Sequence, residues 1–598
     1  MKRAGEPERP RIYQLMVRHF GNTCETRIPD GTIEENGCGK FADISDAALR
    51  SLRVMGFTHV WITGVMEHAS RTAYPNRPAD EPALVKGRAG SPYAIRDYFD
   101  VSPDYAVDGE RRLEEFRELL ARGEANGLKV LIDFVPNHVA RSYQSKVRPE
   151  WSFGNGDQRD VFFRRDNNFY YLSADDPGSG PPLRLPGEKG GLAFAPESEF
   201  GLVSGNNVRS WAPSMHDWYE TVKLNYGHDF TQGPDTSHLP GAGAPPEEVP
   251  DTWRKMDAVL AYWQEFGVAG FRVDMAHMVP MEFWRWGLAR ARERQAGVFF
   301  MAEAYDGDPA KLTHGNVLEE LLRCGFDAIY DGESYELVQQ IYEGPKWAND
   351  LDELAWRGEL FQSAVRYAEN HDEVRVTSPL RWGGFGMAVG RAVSAILFGM
   401  AKGPVLIYNG QEVGEAAIGA VGFSGDDGRT SIFDYGSLPE LAKWVNGQRY
   451  DGGALSEEQR ELRGWYAQLL SLSAEPAFAR GEFVPLNSTN RDNPTFGRIG
   501  EESTSGHWLY AFLRIDPETP QTFLVVVNLH GGETMRGIRV KISREGLRRV
   551  GCSGVPVRFA ERLGLDGIVT VEAEALVDDG LALPDLAPCS ACFLEMEF

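Results

Sequence analysis

The feature that most restricts the fold is a regular alternation of short apolar segments and amphipathic segments over the first three-quarters of the chain. Such alternation is typical of a parallel β-sheet covered by helices. Eight segments have the character of buried strands: Ile12–Val17, His59–Thr63, Lys129–Val135, Gly270–Asp274, Val298–Ala304, Ala328–Tyr330, Arg366–Glu369 and Val405–Tyr408. Helical periodicity predicts helices between them, at Asp46–Met55, Glu110–Asn126, Thr252–Phe266 and Pro280–Gln295. Eight strands with helical crossovers predict an α/β fold, a closed (β/α)8 TIM barrel.

Two stretches depart from this alternation. Residues 139–226 follow the third strand and are rich in Gly, Pro, Asn, Asp and aromatic residues. Because unstructured loops of that length are uncommon in compact domains, we predict an inserted subdomain there (domain B). The barrel (domain A) then comprises residues 1–138 and 227–476.

The last part of the chain, 477–598, has the alternating patterns of short strands. The candidates are Trp508–Ile515, Thr522–Asn528, Ile538–Ile542, Gly567–Ala573 and Ala591–Glu597. Short strands separated by turn residues predict a C-terminal antiparallel β-sandwich domain (domain C).

Charge and composition exclude several classes of partner. The formal net charge is -25, which disfavours nucleic acid and anionic membranes as partners. No apolar run is long enough to span a membrane, and the N-terminus lacks the apolar run of a secretory signal, so we expect a cytoplasmic protein. The six cysteines are too sparse for a disulfide framework, and the pair Cys589 and Cys592 lacks the second ligand pair of a zinc site. No organic cofactor is expected, and the sequence does not indicate an oligomeric state.

Polar residues cluster where four of the predicted strands end. The clusters are Asp133-Phe-Val-Pro-Asn137-His138, Arg272-Val-Asp274, Met-Ala-Glu303 and Asn370-His371-Asp372. In a barrel the C-terminal ends of the strands meet at one rim, which carries the active site. Because buried polar groups are costly without partners, four clusters at the same rim predict a functional site.

These clusters resemble the four conserved regions of glycoside hydrolase family 13, the α-amylase family. Segments beginning Ile12-Tyr-Gln-Leu, Ser91-Pro-Tyr and Gly403-Pro-Val also resemble it. The resemblance implies that Asp274 is a nucleophile, Glu303 a general acid/base, and Asp372 a third carboxylate that favours the distorted sugar ring. Retention at an α-glycosidic bond requires nucleophile and proton donor about 5–5.5 Å apart.

The same resemblance implies which residues contact the sugar at the cleaved bond. Tyr93 would stack on the apolar face of that sugar, and His138 and His371 would donate hydrogen bonds to its hydroxyls. His277 stands where many family members carry a lysine that contacts the acceptor-side sugar.

Three further residues are expected to support the site. Arg272 lies two residues before Asp274 on one strand, so its side chain faces the same side and would keep the nucleophile ionised. Asp133 either contacts substrate or is a hydrogen-bonding partner of Arg272. Asn137 matches a position that often ligates calcium in this family, which implies a structural Ca2+ completed by oxygens of the inserted subdomain.

Three functions fit these residues. The first is a retaining α-glycosidase that acts on α-1,4-linked glucans or maltooligosaccharides through a covalent glycosyl-Asp274 intermediate. The second is a transglycosylase, either a glucanotransferase or a maltosyltransferase, that uses the same intermediate with a sugar as acceptor. The third is a non-catalytic glycan-binding homologue, which the presence of all three carboxylates disfavours.

Overall fold

Eight parallel strands close into a barrel in the computed structural model, which describes residues 8–186, 192–418, 427–552, 554–564 and 568–598. The strands are β1 (Arg11–Met16), β2 (His59–Thr63), β3 (Lys129–Phe134), β4 (Gly270–Val273), β5 (Phe299–Ala302), β6 (Ala328–Tyr330), β7 (Ala364–Tyr367) and β8 (Val405–Tyr408). Each strand pairs with the next in chain order, and β1 pairs with β8 to close the sheet. The predicted barrel is therefore confirmed, and β2, β6 and β8 have the predicted bounds.

Helices surround the barrel strands. The longer ones are Asp46–Met55, Arg112–Ala125, Asp251–Phe266, Met281–Arg294, Val317–Cys324, Gly332–Glu343, Ala388–Met400 and Glu457–Leu472; shorter ones are Ile33–Asn36, Glu359–Ser363, Pro439–Val445, Pro476–Ala479 and Asn487–Asn490. The first longer helix shows how the sequence sets their limits: the Ser45 side chain caps it by accepting from the Ala48 N–H, and Gly56 ends it with a φ of 109°. Within the described ranges, no helix combines the length and the apolar character needed to cross a membrane.

The segment between β3 and β4 returns to the barrel rim through short antiparallel pairings. Strand His138–Ala140 pairs with Thr221–Lys223, and Arg184–Leu185 pairs with Leu192–Ala193. The segment contributes most of a small apolar cluster, formed by Leu84, Tyr170, Leu172, Leu183, Leu185, Phe194, Val203, Trp211 and Tyr219. The first pairing matters for the site because it brings Lys223 beside the residues that follow β3.

The C-terminal part is an antiparallel β structure that packs on the barrel. Its strands are β9 (Glu482–Pro485), β10 (Leu509–Ile515), β11 (Thr522–Asn528), β12 (Pro556–Glu561), β13 (Ile568–Glu572) and β14 (Ser590–Glu597); helices Arg544–Val550 and Ala573–Asp578 accompany them. These strands form a six-stranded sheet with the order β9, β10, β11, β14, β12, β13, and a two-stranded sheet pairs Arg539–Val540 with Leu581–Ala582. The predicted strand Gly567–Ala573 begins at a residue outside the described ranges.

Alternation along β10 explains how this sheet attaches. Tyr510 and Phe512 belong to the core cluster shared with the barrel, whereas Ala511 and Leu513 belong to a second cluster within the C-terminal part. A Cβ on Gly399 in helix Ala388–Met400 would lie 2.8 Å from the Phe512 ring, so the sheet and this helix are in close contact. One face of the sheet therefore covers a helix of the barrel.

Candidate active site

Asp274 and Glu303 are the first residues beyond β4 and β5. Val273 lies opposite Ala302 in the register, and the sheet continues for one step because Glu303 N donates to Val273 O at 2.9 Å. Both side chains are buried at the rim, with relative exposures of 5% for Asp274 and 4% for Glu303. The backbone of two neighbouring strands therefore fixes where the two acids stand.

One guanidinium group joins these two acids. Arg272 Nη1 donates to Asp274 Oδ1 at 2.8 Å, and Arg272 Nη2 lies 2.7 Å from Glu303 Oε2. Because a guanidinium group is small and planar, the two carboxyl groups that its nitrogens contact lie close to each other at the rim.

Asp133 is the third acid around Arg272. Its Oδ1 accepts from Arg272 Nη1 at 3.2 Å, and its Oδ2 accepts from Gly64 N at 2.7 Å and from Trp61 Nε1 at 3.2 Å. Burial raises the pKa of Asp133 to about 6, although Arg272 opposes the shift. With its oxygens bound in this way, Asp133 stands as a partner of Arg272, the second of the two roles considered from the sequence.

Arg272 is enclosed by aromatic rings as well as by carboxylates. The rings of Trp61, Tyr93 and Tyr330 lie with their centroids 5.3, 5.2 and 5.5 Å from its Cζ. Burial and then the charge of Glu303 raise the pKa of Asp274 well above its usual range, whereas Arg272 lowers it. Arg272 is thus the group that favours the ionised form of Asp274 in this buried site.

Tyr93, His371 and Asp372 lie together on the other side of the pocket. Tyr93 Oη lies 2.6 Å from His371 Nε2, and Asp372 Oδ2 lies 3.0 Å from the same nitrogen. Gln14 Nε2 donates to His371 Nδ1 at 2.8 Å, which leaves the ring proton on Nε2. The side chain of Asp372 is 48% exposed, so it is the most accessible of the three predicted catalytic carboxylates.

Another predicted sugar contact, His138, lies against the inserted segment. Its ring centroid is 5.2 Å from that of Trp218, and its Nδ1 is 3.1 Å from Asn137 Nδ2. Burial, and then the charge of Lys223, lower the pKa of His138 to about 3, so the ring is neutral at pH 7. Trp218 was not predicted as a site residue, although its place in an aromatic-rich insertion is a signal that could have found it.

Comparison with known proteins now identifies the family. A model of the alpha-amylase catalytic domain matches residues 15–189 and 246–431. The chain belongs to the α-amylase family. Alpha-amylase 2 of Dictyoglomus thermophilum is 22% identical over 486 residues (80% of this chain, 65% of that protein), and alpha-1,4-glucan:maltose-1-phosphate maltosyltransferase of Cereibacter sphaeroides is 27% identical over 389 residues (60% and 52%). The chain thus spans less than two thirds of these two relatives.

The likeness extends to solved folds. The structure of AmyP in complex with maltose aligns with 98% of this chain and 96% of that chain, with a TM-score of 0.59 and 17% identity. At that identity the alignment shows a shared fold. Family membership therefore rests on the catalytic-domain match, and the site residues rest on the geometry described above.

In this α-amylase family member, His277 lies against the loop that follows β5. Its side chain is fully buried, its Nε2 lies 2.9 Å from Asp308 Oδ2, and its backbone oxygen accepts from Leu312 N at 3.0 Å. The imidazole therefore holds the loop that follows β5. The sugar contact predicted at His277 stays a prediction.

Asn137 does not offer the environment that calcium requires. Its Oδ1 accepts a hydrogen bond from the buried Nζ of Lys223, which also donates to Met278 O at 3.0 Å. Burial lowers the pKa of Lys223 to about 7. Its Nδ2 donates to Gly205 O at 2.9 Å, so both polar atoms of the amide form hydrogen bonds within the chain. Calcium binds six to eight oxygens, and Lys223 Nζ already donates to the one predicted here. These residues do not fit the predicted Ca2+ ion.

A separate group of three carboxylates is paired with arginine side chains. Glu67, Asp97 and Asp100 bring carboxylate oxygens within 4.8 Å of one another, and this is the one such group found in the described part of the chain. Arg77 pairs with both Glu67 and Asp100, and Arg112 Nη2 lies 2.7 Å from Asp100 Oδ2. We therefore interpret the group as an ion-pair network.

Tyr305 is a site residue that the sequence analysis missed. Its hydroxyl donates to Glu303 Oε1 at 3.0 Å, and the residue is 38% exposed. Its only sequence signal is an aromatic residue two positions beyond the predicted acid, a pattern too common to assign a role.

Proposed function

We propose that this chain is a retaining α-glycosidase that acts on α-1,4-linked glucans or maltooligosaccharides. The observation that carries the proposal is the single Arg272 guanidinium that holds Asp274 and Glu303 in one pocket. A retaining glycosidase requires two closely spaced carboxyl groups, one ionised and one able to carry a proton. The maltose bound to AmyP, a protein of the same fold, supports an oligosaccharide as the ligand.

The proposed hydrolysis has two steps, in which Asp274 and Glu303 have different roles. Asp274 attacks the anomeric carbon as Glu303 gives its proton to the departing glycosidic oxygen, which forms a glycosyl ester and releases the first sugar product. Glu303, now ionised, then takes a proton from water, whose oxygen displaces Asp274 and restores the starting configuration. Tyr93, His371 and the accessible Asp372 would hold the sugar whose bond is cleaved.

A transglycosylase is the second candidate. A sugar hydroxyl would replace water in the second step, and Glu303 would take the proton from that hydroxyl instead. Two observations favour it: the similarity to a maltosyltransferase over 389 residues, and the exposed aromatic ring of Tyr305 beside Glu303.

Product analysis with maltooligosaccharides of defined length tests both candidates. Hydrolysis yields only shorter products, released initially as the α-anomer, whereas transglycosylation also yields products longer than the substrate. Asp274→Asn and Glu303→Gln should each abolish turnover, and Asp108→Asn, a substitution of an exposed carboxylate at a turn, should retain it. A wild-type protein that binds glucans without converting any of them would instead support the non-catalytic homologue.

We also propose that the protein is located in the cytoplasm, as predicted from the sequence. All six cysteines are free thiols, including the buried Cys589 and Cys592. Free thiols persist in a reducing compartment, so this observation supports the proposed location. Fractionation of cells that express the protein would test it.

A further inference from the structure

A cavity of about 520 Å³ lies at the N-terminal end of the barrel, opposite the rim that carries Asp274 and Glu303. Residues at or just before the start of every barrel strand except β4 line it, together with Ala479 of the C-terminal part. Its volume is in the range of pockets that bind small molecules. Because barrel active sites occupy the other end of the strands, this cavity takes no part in the proposed reaction.

Arg9 lies buried in the wall of this cavity and has no carboxylate partner in the described part of the chain. It is 4% exposed, its Nε donates to Gly403 O at 2.8 Å, and its Nη1 donates to Phe398 O at 3.0 Å. Its Nη2 is buried and has no hydrogen-bond partner within the described ranges. Buried charges are normally paired, so Arg9 lacks the counter-charge that a buried cation requires.

A second buried arginine adds to the positive charge around Arg9. Arg514 is fully buried, and backbone oxygens accept its hydrogen bonds: Met400 O and Gly481 O at 2.8 Å, and Ala477 O at 3.0 Å. Burial, and then the charge of Arg514, lower the pKa of Arg9 well below its usual range. An anion close to Arg9 would oppose both effects, because it stabilises the charged guanidinium.

Two exposed lysines line the same cavity. Lys129 is the first residue of β3, and Lys402 lies three residues before β8, next to the Gly403 whose oxygen binds Arg9. Neither ammonium group forms an ion pair with any residue that the structure describes. Arg9 and the two lysines therefore bring three cations to one cavity.

The two acids that line the cavity are already paired with arginines. Arg11 Nη2 lies 2.9 Å from Glu8 Oε1, and Arg292 Nη2 lies 3.1 Å from Asp327 Oδ2. These acids therefore do not balance the three cations described above. The excess of positive charge is local, because the formal net charge of the whole chain is -25.

We propose that this cavity is a second ligand site, which binds a phosphate group, either as free phosphate or as part of a small phosphorylated metabolite. Arg9 supplies a fixed charge with Nη2 still able to donate, and Lys129 and Lys402 supply mobile ammonium groups. Guanidinium and ammonium groups are the usual partners of phosphate oxygens in proteins. The inference goes beyond the proposed function and does not depend on it, since Asp274 and Glu303 lie at the other end of the barrel.

Titration with inorganic phosphate tests the site, with sodium chloride used to keep the ionic strength constant. A ligand that binds only the folded state raises the thermal midpoint as its concentration increases, so the midpoint should rise with phosphate. Titration calorimetry gives the Kd. Lys129→Gln and Lys402→Gln each remove one exposed charge, and each should weaken phosphate binding about fivefold.

Glycerophosphate, a simple phosphate monoester, separates the two sources of the phosphate group. Tighter binding of glycerophosphate than of inorganic phosphate would support a phosphorylated metabolite as the ligand. Binding no tighter than that of inorganic phosphate would support free phosphate. Glycerol at the same concentrations is the uncharged control and should not produce the phosphate response.

Lys146→Gln is the matched control variant. Lys146 is exposed and lies in the inserted segment, outside the cavity, so its loss should leave the Kd for phosphate at the wild-type value. All three lysine variants should retain wild-type turnover of maltooligosaccharides, which also shows that they fold. A wild-type midpoint that does not respond to phosphate would overturn the proposal, as would an unchanged Kd in both Lys129→Gln and Lys402→Gln. Both of these results would leave the proposed function standing.

Discussion

Replacing Asp274 with asparagine should abolish turnover and yet stabilise the protein at alkaline pH. Asp274, Glu303 and Asp133 share one guanidinium, so three carboxylates and one cation leave a net charge of −2 when all are ionised. Two unit charges about 5 Å apart repel by roughly 3 kcal/mol at an effective dielectric constant of about 20. The attraction to Arg272 is of similar size, about 4 kcal/mol for charge centres about 4 Å apart.

Because the repulsion from Glu303 nearly cancels the attraction to Arg272, burial and the further repulsion from Asp133 decide the sign. The pKa of Asp274 is raised well above its usual range by burial and by Glu303, against the effect of Arg272. The folded state therefore binds a proton that the unfolded state releases, and wild-type stability falls as pH rises through the raised pKa. Asparagine does not titrate, so we expect a gain of about 1–3 kcal/mol at pH 8 that shrinks towards pH 4.5.

Urea unfolding at pH 4.5 and 8, together with initial rates on a maltooligosaccharide, measures both effects. Asp100→Asn is the control with the opposite sign, because buried Asp100 is bound by Arg77 and Arg112, and breaking such a pair costs about 3–5 kcal/mol. If Asp274→Asn is less stable than wild type at pH 8, the attraction of Arg272 outweighs burial and the reasoning is wrong. Retained turnover would refute the assignment of the nucleophile.

Two further predictions concern protons and metal. Burial, and then the charge of Lys129, lower the pKa of His59 to about 3, so the unfolded state binds a proton that the folded state does not between about pH 3 and 6.5. Wild type should therefore lose about 2 kcal/mol more unfolding free energy than His59→Gln between pH 7 and 5, and equal losses in urea titrations would contradict this. Since Lys223 Nζ donates to Asn137 Oδ1, EDTA should leave the thermal midpoint and the initial rate unchanged. A midpoint that falls with EDTA and recovers with calcium would show that a metal site exists after all.

The barrel could be predicted because buried parallel strands carry their signal locally. His59–Thr63 is an apolar run between a helix and a turn, and the same bounds appear in the structure. The prediction for β7 was less accurate: Arg366–Glu369 was expected, but the strand is Ala364–Tyr367. The chain leaves the sheet early because Glu369 binds Arg375 at 2.9 Å and the backbone N–H of Val376 at 2.7 Å. Strand bounds are therefore least predictable at the rim, where polar contacts replace the sheet pairing.

The parts of the site that could not be predicted depend on residues distant along the chain. Lys223 contacts Asn137 although the two residues are 86 positions apart in the sequence. No local pattern predicts that a lysine side chain will bind the oxygen at which a metal was expected. His277 could be placed next to the nucleophile by motif, but its burial depends on how the loop after β5 folds over it. Motif position thus identified the acids, whereas the surrounding contacts required coordinates.

The placement of the two acids just beyond paired strands has a consequence for how such a site can diverge. Hydrogen-bonded strands lie about 4.8 Å apart, close to the carboxyl separation that retention of configuration requires. Inverting glycosidases need a gap of about 6.5–9.5 Å, wide enough for a water molecule. Under the proposed mechanism, loop substitutions can alter which sugar is chosen or which acceptor arrives, while the stereochemical outcome depends on the separation of the two carboxyl groups.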